Sequence, residues 1–249
     1  MSLRLQTRKA AFCGLALLLV VSSCAKPATF ETIDTSLAWP YVEPGRGSQC
    51  RAQLQAAVGD IEGKRFEEAD RKLSTVLSCF RALMTDHEFS VYISVANADE
   101  LDRYRSDHRG DREVVWIDWG YREALQLKAF MLSAQREFDK ALDLLRFQAK
   151  IAPYSAAPYT ERGYILNVGL RKPQEALEAY RHALALAREF ESSSAEEPVA
   201  LRGIGFALIE LGDLDPAESM FQASLESDPG NELALNELSY IEQLRRTQR

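Results

Sequence analysis

PVALRGIGFALIELGDLDPAESMFQASLESDPGN, residues 198–231, decides the fold. Leu201, Ile204, Leu208 and Leu211 recur at intervals of three, four and three residues, which lays one apolar stripe along an amphipathic helix. Gly212-Asp213 stops that helix. A second helix then brings Ala217, Phe221, Ser224 and Leu225 to one face, and Pro229-Gly230 ends it. The unit reads as two antiparallel helices joined by a tight turn.

The preceding sequence repeats the unit. In 156–190, Tyr159, Gly163 and Leu166 take the first helix and Ala176, Tyr180 and Ala183 the second; the turn Gly169–Pro173 carries about one extra residue. In 122–155, Leu125, Ala129 and Leu132 pair with Ala141, Leu145 and the terminal Pro153. Gln148 there stands where a small residue is expected, which predicts a slightly splayed hairpin. Ala141, Ala176 and Ala217 lie 35 and then 41 residues apart, so the last junction holds an insertion around ESSSAEEP. These units resemble tetratricopeptide repeats, a family of 34-residue helix–turn–helix units. The resemblance places the family's close-contact glycine at Gly205 and its small second-helix residues at Ala217 and Ser224, with Pro229 as the terminal proline. It implies an all-α solenoid of helical hairpins. Residues 50–79 fit a further hairpin, with Gly59 in its first helix and Phe66, Ala69 and Leu73 in its second. Residues 232–246, with Leu233, Leu238 and Ile241 inward, read as the cap that covers the last open apolar face.

Residues 80–121 are the least regular. Asn97-Ala98-Asp99-Glu100 has the form of a capping box opening a short helix through Tyr104. Phe89, Val91, Ile93 and Val95 alternate with polar residues, and Val114-Val115-Trp116-Ile117 is β-prone, so a small paired insertion competes with an irregular helical repeat. The helical repeat is the expectation here, because the spacing from Ala69 to Ala141 leaves room for one. Trp116, Trp119 and Tyr121 are expected to fill the junction as core.

The chain opens on a different kind of segment. Arg4, Arg8 and Lys9 precede an apolar run from Ala10 to Val21, too short to span a bilayer and shaped as a secretory signal over 1–23. Val21-Ser22-Ser23-Cys24 resembles the bacterial lipoprotein signal. That resemblance implies cleavage before Cys24, lipidation of its thiol (palmitate among the acyl groups) and a membrane anchor; Ala25 after it resembles the pattern sent to the outer membrane, on its periplasmic side. Residues 24–48, interrupted by Pro27, Pro40, Pro44, Gly45 and Gly47, read as a tether, leaving 49–249 as the helical domain. Of the remaining cysteines, Cys13 falls within the signal, and Cys50 and Cys79 form a pair. On the hairpin reading Cys50 opens the first helix and Cys79 closes the second, so the antiparallel ends meet and an oxidising compartment favours a disulfide.

Chemistry-bearing motifs are sparse. His87, His108 and His182 are scattered, with no metal-binding H-E-x-x-H, and neither a G-x-S-x-G elbow nor a phosphate-cradling loop occurs. Glu67-Glu68 and Glu196-Glu197 read as solvated helix ends, and Arg109-Gly110-Asp111 as a coincidental tripeptide. The net charge is −7, and loss of the three basic residues of the signal takes it to −10, which argues against nucleic-acid binding. No enzyme, metal or cofactor is expected. The repeat resemblance instead implies a concave groove lined by the first helix of each hairpin. Its residues are Gln126, Phe130 and Ser133, then Thr160, Tyr164 and Asn167, then Arg202, Phe206 and Ile209. Phe130, Tyr164 and Phe206 form an aromatic stripe suited to a peptide or helix of a partner, with packing against neighbouring helices as the alternative. Phe206 occupies a position where a carboxylate clamp needs a polar donor, which argues against chaperone-tail recognition. The expected role is a scaffold or assembly accessory of an envelope complex; the alternative is a periplasmic receptor for a small ligand near Trp116–Tyr121.

Overall fold

The structure, a computed structural model, describes residues 45–85, 88–110 and 112–247. The signal segment, Cys24, the tether up to Pro44 and His87 lie outside the described residues. A short helical turn at Ser48–Gln53 leads into α1 (Leu54–Glu62) and α2 (Phe66–Leu83). Three more hairpins follow the insertion described below: α4 (Gly120–Ala134) with α5 (Phe138–Ile151), α6 (Ala157–Tyr164) with α7 (Pro173–Glu189), and α8 (Glu197–Leu211) with α9 (Leu214–Ser227). The cap α10 (Glu232–Thr247) closes the series, with Ile241 and Ala234 buried. Asn231 caps it, its Oδ1 accepting from Ala234 N at 3.0 Å. The core is continuous from one hairpin to the next: Leu166, Tyr180, Ile204, Leu208, Phe221 and Ile241 share one cluster. This is the all-α hairpin architecture that the repeat pattern implies.

The four hairpin turns are built alike. Lys64, Arg136, Arg171 and Gly212 each stand in the left-handed region, at φ 57°, 64°, 56° and 86°. After each, the next amide reaches back to a carbonyl of the helix just ended: Arg65 to Asp60 (2.7 Å), Glu137 to Leu132 (2.8 Å), Lys172 to Leu166 (2.8 Å) and Asp213 to Leu208 (2.9 Å). That six-to-one bond around a left-handed residue is how helices satisfy their last carbonyls. The third turn reaches back one residue further than the others. Its extra residue is absorbed by a π-helical turn over Ile165–Gly169, so the hairpin accommodates the insertion without losing its register. Only the last turn uses glycine; the others hold a side chain where the backbone disfavours one. Arg136→Gly should therefore stabilise the chain by about 1 kcal/mol in urea denaturation, and an unchanged or lower midpoint would contradict the shared turn geometry.

Residues 80–121 depart from the expected helical repeat. β1 (Ser90–Ile93) and β2 (Glu113–Trp116) pair in parallel, Ser90 opposite Glu113 and Ile93 opposite Trp116, with α3 (Ala98–Asp107) as the crossover between them. The strand alternation thus outweighed the repeat spacing: two parallel strands need a long connection, and 94–112 supplies it. The capping motif behaves as its residues suggest, Asn97 Oδ1 accepting from Glu100 N at 2.9 Å and Glu100 Oε2 from Ala96 N at 2.8 Å. α2 packs directly on α4, so the insertion stands outside the series of hairpins. Arg46 joins the β2 edge, its amide donating to Trp116 O at 2.9 Å and its carbonyl accepting from Asp118 N at 3.1 Å. Cys50 and Cys79 are joined by a disulfide, their Cα atoms 5.7 Å apart, at the end of the first hairpin where the two helices meet. Of the junction aromatics only Tyr121 is fully buried, against Phe80; Trp119 is exposed beneath the Arg51 guanidinium and Trp116 is half-buried, its Nε1 donating to Val95 O at 3.2 Å.

Candidate functional site: the first-helix face

The first helices α4, α6 and α8 touch one another in succession, and the anticipated groove residues all project from them or from the π turn after α6. Close approach within and between hairpins sets this face. Gly163 on α6 and Gly203 on α8 both lie against the Tyr180 ring of α7, and Gly205 lies against Phe221 of α9. The Gly163–Tyr180 contact and the Gly205–Phe221 contact are the same position one repeat apart. They are where the repeat resemblance expects the small residue.

Burial on this face runs opposite to the simplest expectation. Phe130, Tyr164, Phe206 and Ile209 are half-buried, with Phe206 set edge-on to Phe221 (centroids 5.2 Å apart) and Tyr164 packed on the Ala129–Leu145–Ile165 cluster. The polar members Gln126, Ser133, Thr160, Asn167 and Arg202 are the buried ones. Arg202 is 2% exposed and pairs through Nη1 with Asp228 Oδ2 at 3.3 Å, while its Nε and Nη2 have no hydrogen-bond partner. Gln126 Oε1 and Asn167 Oδ1 are likewise without one. Buried polar atoms are nearly always paired in folded proteins, so such a concentration on one face requires a reason. Gln148, the oversized residue in its hairpin, is also buried with Oε1 unpartnered, on the second helix α5.

Three carboxylates complete the face and were not among the residues singled out in the sequence. Glu161, one residue past Thr160 on α6, is buried with Oε1 unpartnered. Glu196 comes from the helical turn Glu191–Glu196, the insertion before α8, and accepts from Thr160 Oγ1 at 2.9 Å. It is therefore held against α6 and half-buried, where the Glu196-Glu197 run reads as a solvated helix end. Glu123 stands in the first turn of α4. Burial, with the Glu196 charge adding to it, pushes the Glu161 carboxyl up to about 7. Glu196 is raised by burial and by Glu123, against the Thr160 hydroxyl and Arg202, which lower it. Glu123 is raised by burial, with Arg122 opposing. Burial pulls Arg122 and Arg202 down from the usual guanidinium range, offset by the carboxylates around them.

The two insertions meet beside this face. Ser192 Oγ donates to Glu100 Oε1 of α3, Arg103 of α3 pairs with Glu189 at 2.5 Å, and the Arg103 guanidinium lies over the stacked rings of Tyr154 and Phe190. Ser193 Oγ donates to Tyr154 O at 2.8 Å and accepts from Ala156 N at 3.2 Å, which fixes the turn carrying Glu196 against the start of α6. Sequence alone marked both segments as irregular. Their mutual contact depends on packing over some ninety residues of chain, which no local pattern carries.

Elsewhere the structure holds less. His182 is exposed and packs on Tyr159, and His108 stacks on Tyr104 at the end of α3. Among the described residues no three His, Cys, Asp or Glu side chains are grouped to hold a metal ion, and no helix is long and apolar enough to cross a membrane. Two surface recesses, one along Arg105–Val114 and one between Asp70, Lys128 and Asp143, are lined by residues other than Trp116, Trp119 and Tyr121.

No curated protein sequence matches the chain. Similar solved structures include the first tetratricopeptide repeat domain of Spaghetti (RPAP3) bound to the HSP90 peptide SRMEEVD, 26% identical over 50% of this chain and 93% of that one with a TM-score of 0.44, and the first such domain of human RPAP3, 26% identical over 51% and 93% with a TM-score of 0.45. Residues 154–229, which hold α6 to α9, match the tetratricopeptide repeat family model, and the chain is an all-α protein built of tetratricopeptide-like hairpins.

Proposed function

We propose that the chain is a non-enzymatic interaction protein that binds a segment of a partner on its first-helix face, as a lipid-anchored scaffold or assembly accessory of a bacterial envelope complex. Repeats of this family generally mediate protein–protein contacts, and the sequence carries no H-E-x-x-H, G-x-S-x-G or phosphate-cradling motif. The observation that carries the reading is the recurrence of Phe130, Tyr164 and Phe206, one per hairpin, beside buried polar atoms that the chain itself leaves unpaired. Aromatic side chains flanked by unpaired donors and acceptors are the composition that recognises an extended segment or a helix. The anchor rests on Val21–Cys24 and the cationic, apolar start before it. A lipidated Cys24 would hold an acidic domain at a membrane, outer-membrane and periplasm-facing on this reading.

In-cell photo-crosslinking tests the proposal. A crosslinker at position 130, 164 or 206 in turn should capture one and the same envelope protein, while positions Lys140, Glu178 and Gln222, exposed on the second helices, should not. Cys24→Ser should release the chain from membranes and remove the capture. Capture from the second-helix positions instead, or none from any position with the protein intact at the membrane, would contradict it.

A further inference from the structure

The charges on the first-helix face do not balance. Glu123, Glu161 and Glu196 face Arg122 and Arg202, three carboxylates against two guanidinium groups, and both guanidinium groups are already shared, Arg202 with Asp228 and Arg122 with Glu100 and Asp118. Glu196 lies within electrostatic range of both other carboxylates and of Arg202. A surplus carboxylate set among half-buried aromatics is costly unless a positive group meets it. Two buried acceptors point to the same need: Glu161 Oε1, on a residue 7% exposed, and Gln126 Oε1, on one 6% exposed, have no donor among the described residues. The missing group is therefore a hydrogen-bond donor as well as a cation.

Arg202 adds a second requirement. Its Nε and Nη2 form a two-pronged donor with nothing to accept from it, at the α8 end of the same face. A free cation satisfies the carboxylates and leaves that fork empty. A basic residue within a peptide satisfies both, since its side chain reaches the carboxylates while a backbone carbonyl of the same segment accepts from the fork. The aromatics Phe130, Tyr164 and Phe206 then flank the aliphatic stem of the basic side chain or its apolar neighbours.

We propose that Glu123, Glu161, Glu196 and Gln126 form a subsite that takes a lysine or arginine side chain of the bound segment, with Arg202 holding that segment's backbone. The inference rests on the groove reading above and names the chemistry of its partner: a segment with a basic anchor, not an acidic tail.

Fluorescence-polarisation titration of the full-length chain with labelled short-peptide pools tests it. Pools would share randomised flanks and differ only in a fixed central residue: lysine, arginine, norleucine or glutamate. The lysine and arginine pools should bind at least about tenfold more tightly than the norleucine pool, the value of one buried charge-assisted contact. Glu161→Gln and Glu196→Gln should each erase most of that preference, and Lys140→Gln on a second helix should leave it intact. Thermal melts of the variants separate lost recognition from lost folding. Equal affinity for norleucine, or preference for glutamate, would overturn the subsite, as would spermidine displacing the lysine pool without loss of affinity in an Arg202→Gln variant, which would mark a small-ligand site. If no pool binds while crosslinking still captures a partner from positions 130, 164 and 206, the basic anchor is wrong and the groove reading stands. If both fail, the groove reading fails with it.

Discussion

Gly203→Ala is expected to destabilise the chain by about 3 kcal/mol or more, the upper part of the range for overpacking a core. A Cβ built on Gly203 falls 2.3 Å from Tyr180 Cε1, and one on Gly163 falls 2.7 Å from the same atom. The Tyr180 ring is thus bounded by the α6 backbone of its own hairpin and the α8 backbone of the next. A ring with one rigid wall yields by moving away; a ring with two cannot. The helices themselves would have to separate, opening the Leu166–Ile204–Leu208 core that both share. Urea denaturation of Gly203→Ala, Tyr180→Leu and the double variant measures this as a cycle. The double variant should be clearly less destabilised than the two single losses added together, because leucine removes the far edge of the ring that the new methyl meets. Additive losses would contradict the contact.

Glu161→Gln should do the opposite, and only at high pH. The folded carboxyl sits at about 7 against 4.5 for an unburied glutamate. Ionisation is therefore disfavoured in the folded chain relative to the unfolded one. The sign follows: the penalty is absent below about pH 4.5, grows as pH rises through the interval to 7, and is complete above it. Its full size is about 3 kcal/mol, taken to order of magnitude from the separation of the two values. The groups facing Glu161 are Glu196 from the inserted turn and Tyr180 from α7, with Tyr164 on its own turn and Glu123 and Arg202 beyond Glu196. Of these, Glu196 is the one whose charge raises Glu161. Denaturation at pH 5 and pH 8 should show wild type and Glu161→Gln diverging at the higher pH, the variant more stable, and nearly coinciding at the lower. Parallel profiles would show that Glu161 finds a partner in solution.

Most of the fold was legible because its signals are local. Ala141, Ala176 and Ala217 mark contacts too close for larger side chains, and all three are completely buried. The Cys50–Cys79 pairing followed from the ends of one hairpin, and the extra residue near Gly169 was visible as a length difference before it was a π turn. Residues 80–121 were misjudged because the repeat spacing, a long-range inference, was weighed above strand alternation at Phe89–Val95, which was local and correct. The candidate site was legible only in part. Its nine anticipated residues lie on α4, α6 with its π turn, and α8, but the aromatics are half packed away and the polar ones are buried. Glu161 and Glu196 were missed for a physical reason: a glutamate reads as solvated unless something covers it, and what covers these two comes from the turn Glu191–Glu196 and its contacts with α3. Gly203 was missed similarly, since its ring partner belongs to the preceding hairpin.

Partner binding is proposed for the face formed by α4, α6 and α8. Amide hydrogen exchange on the full-length chain, free and with the partner identified by crosslinking, tests it most directly. Slowed exchange is expected only in those three helices and the turn carrying Glu196, with α5, α7 and α9 unchanged. Protection concentrated on α5, α7 and α9, or on the insertion β1–α3–β2 alone, would contradict it.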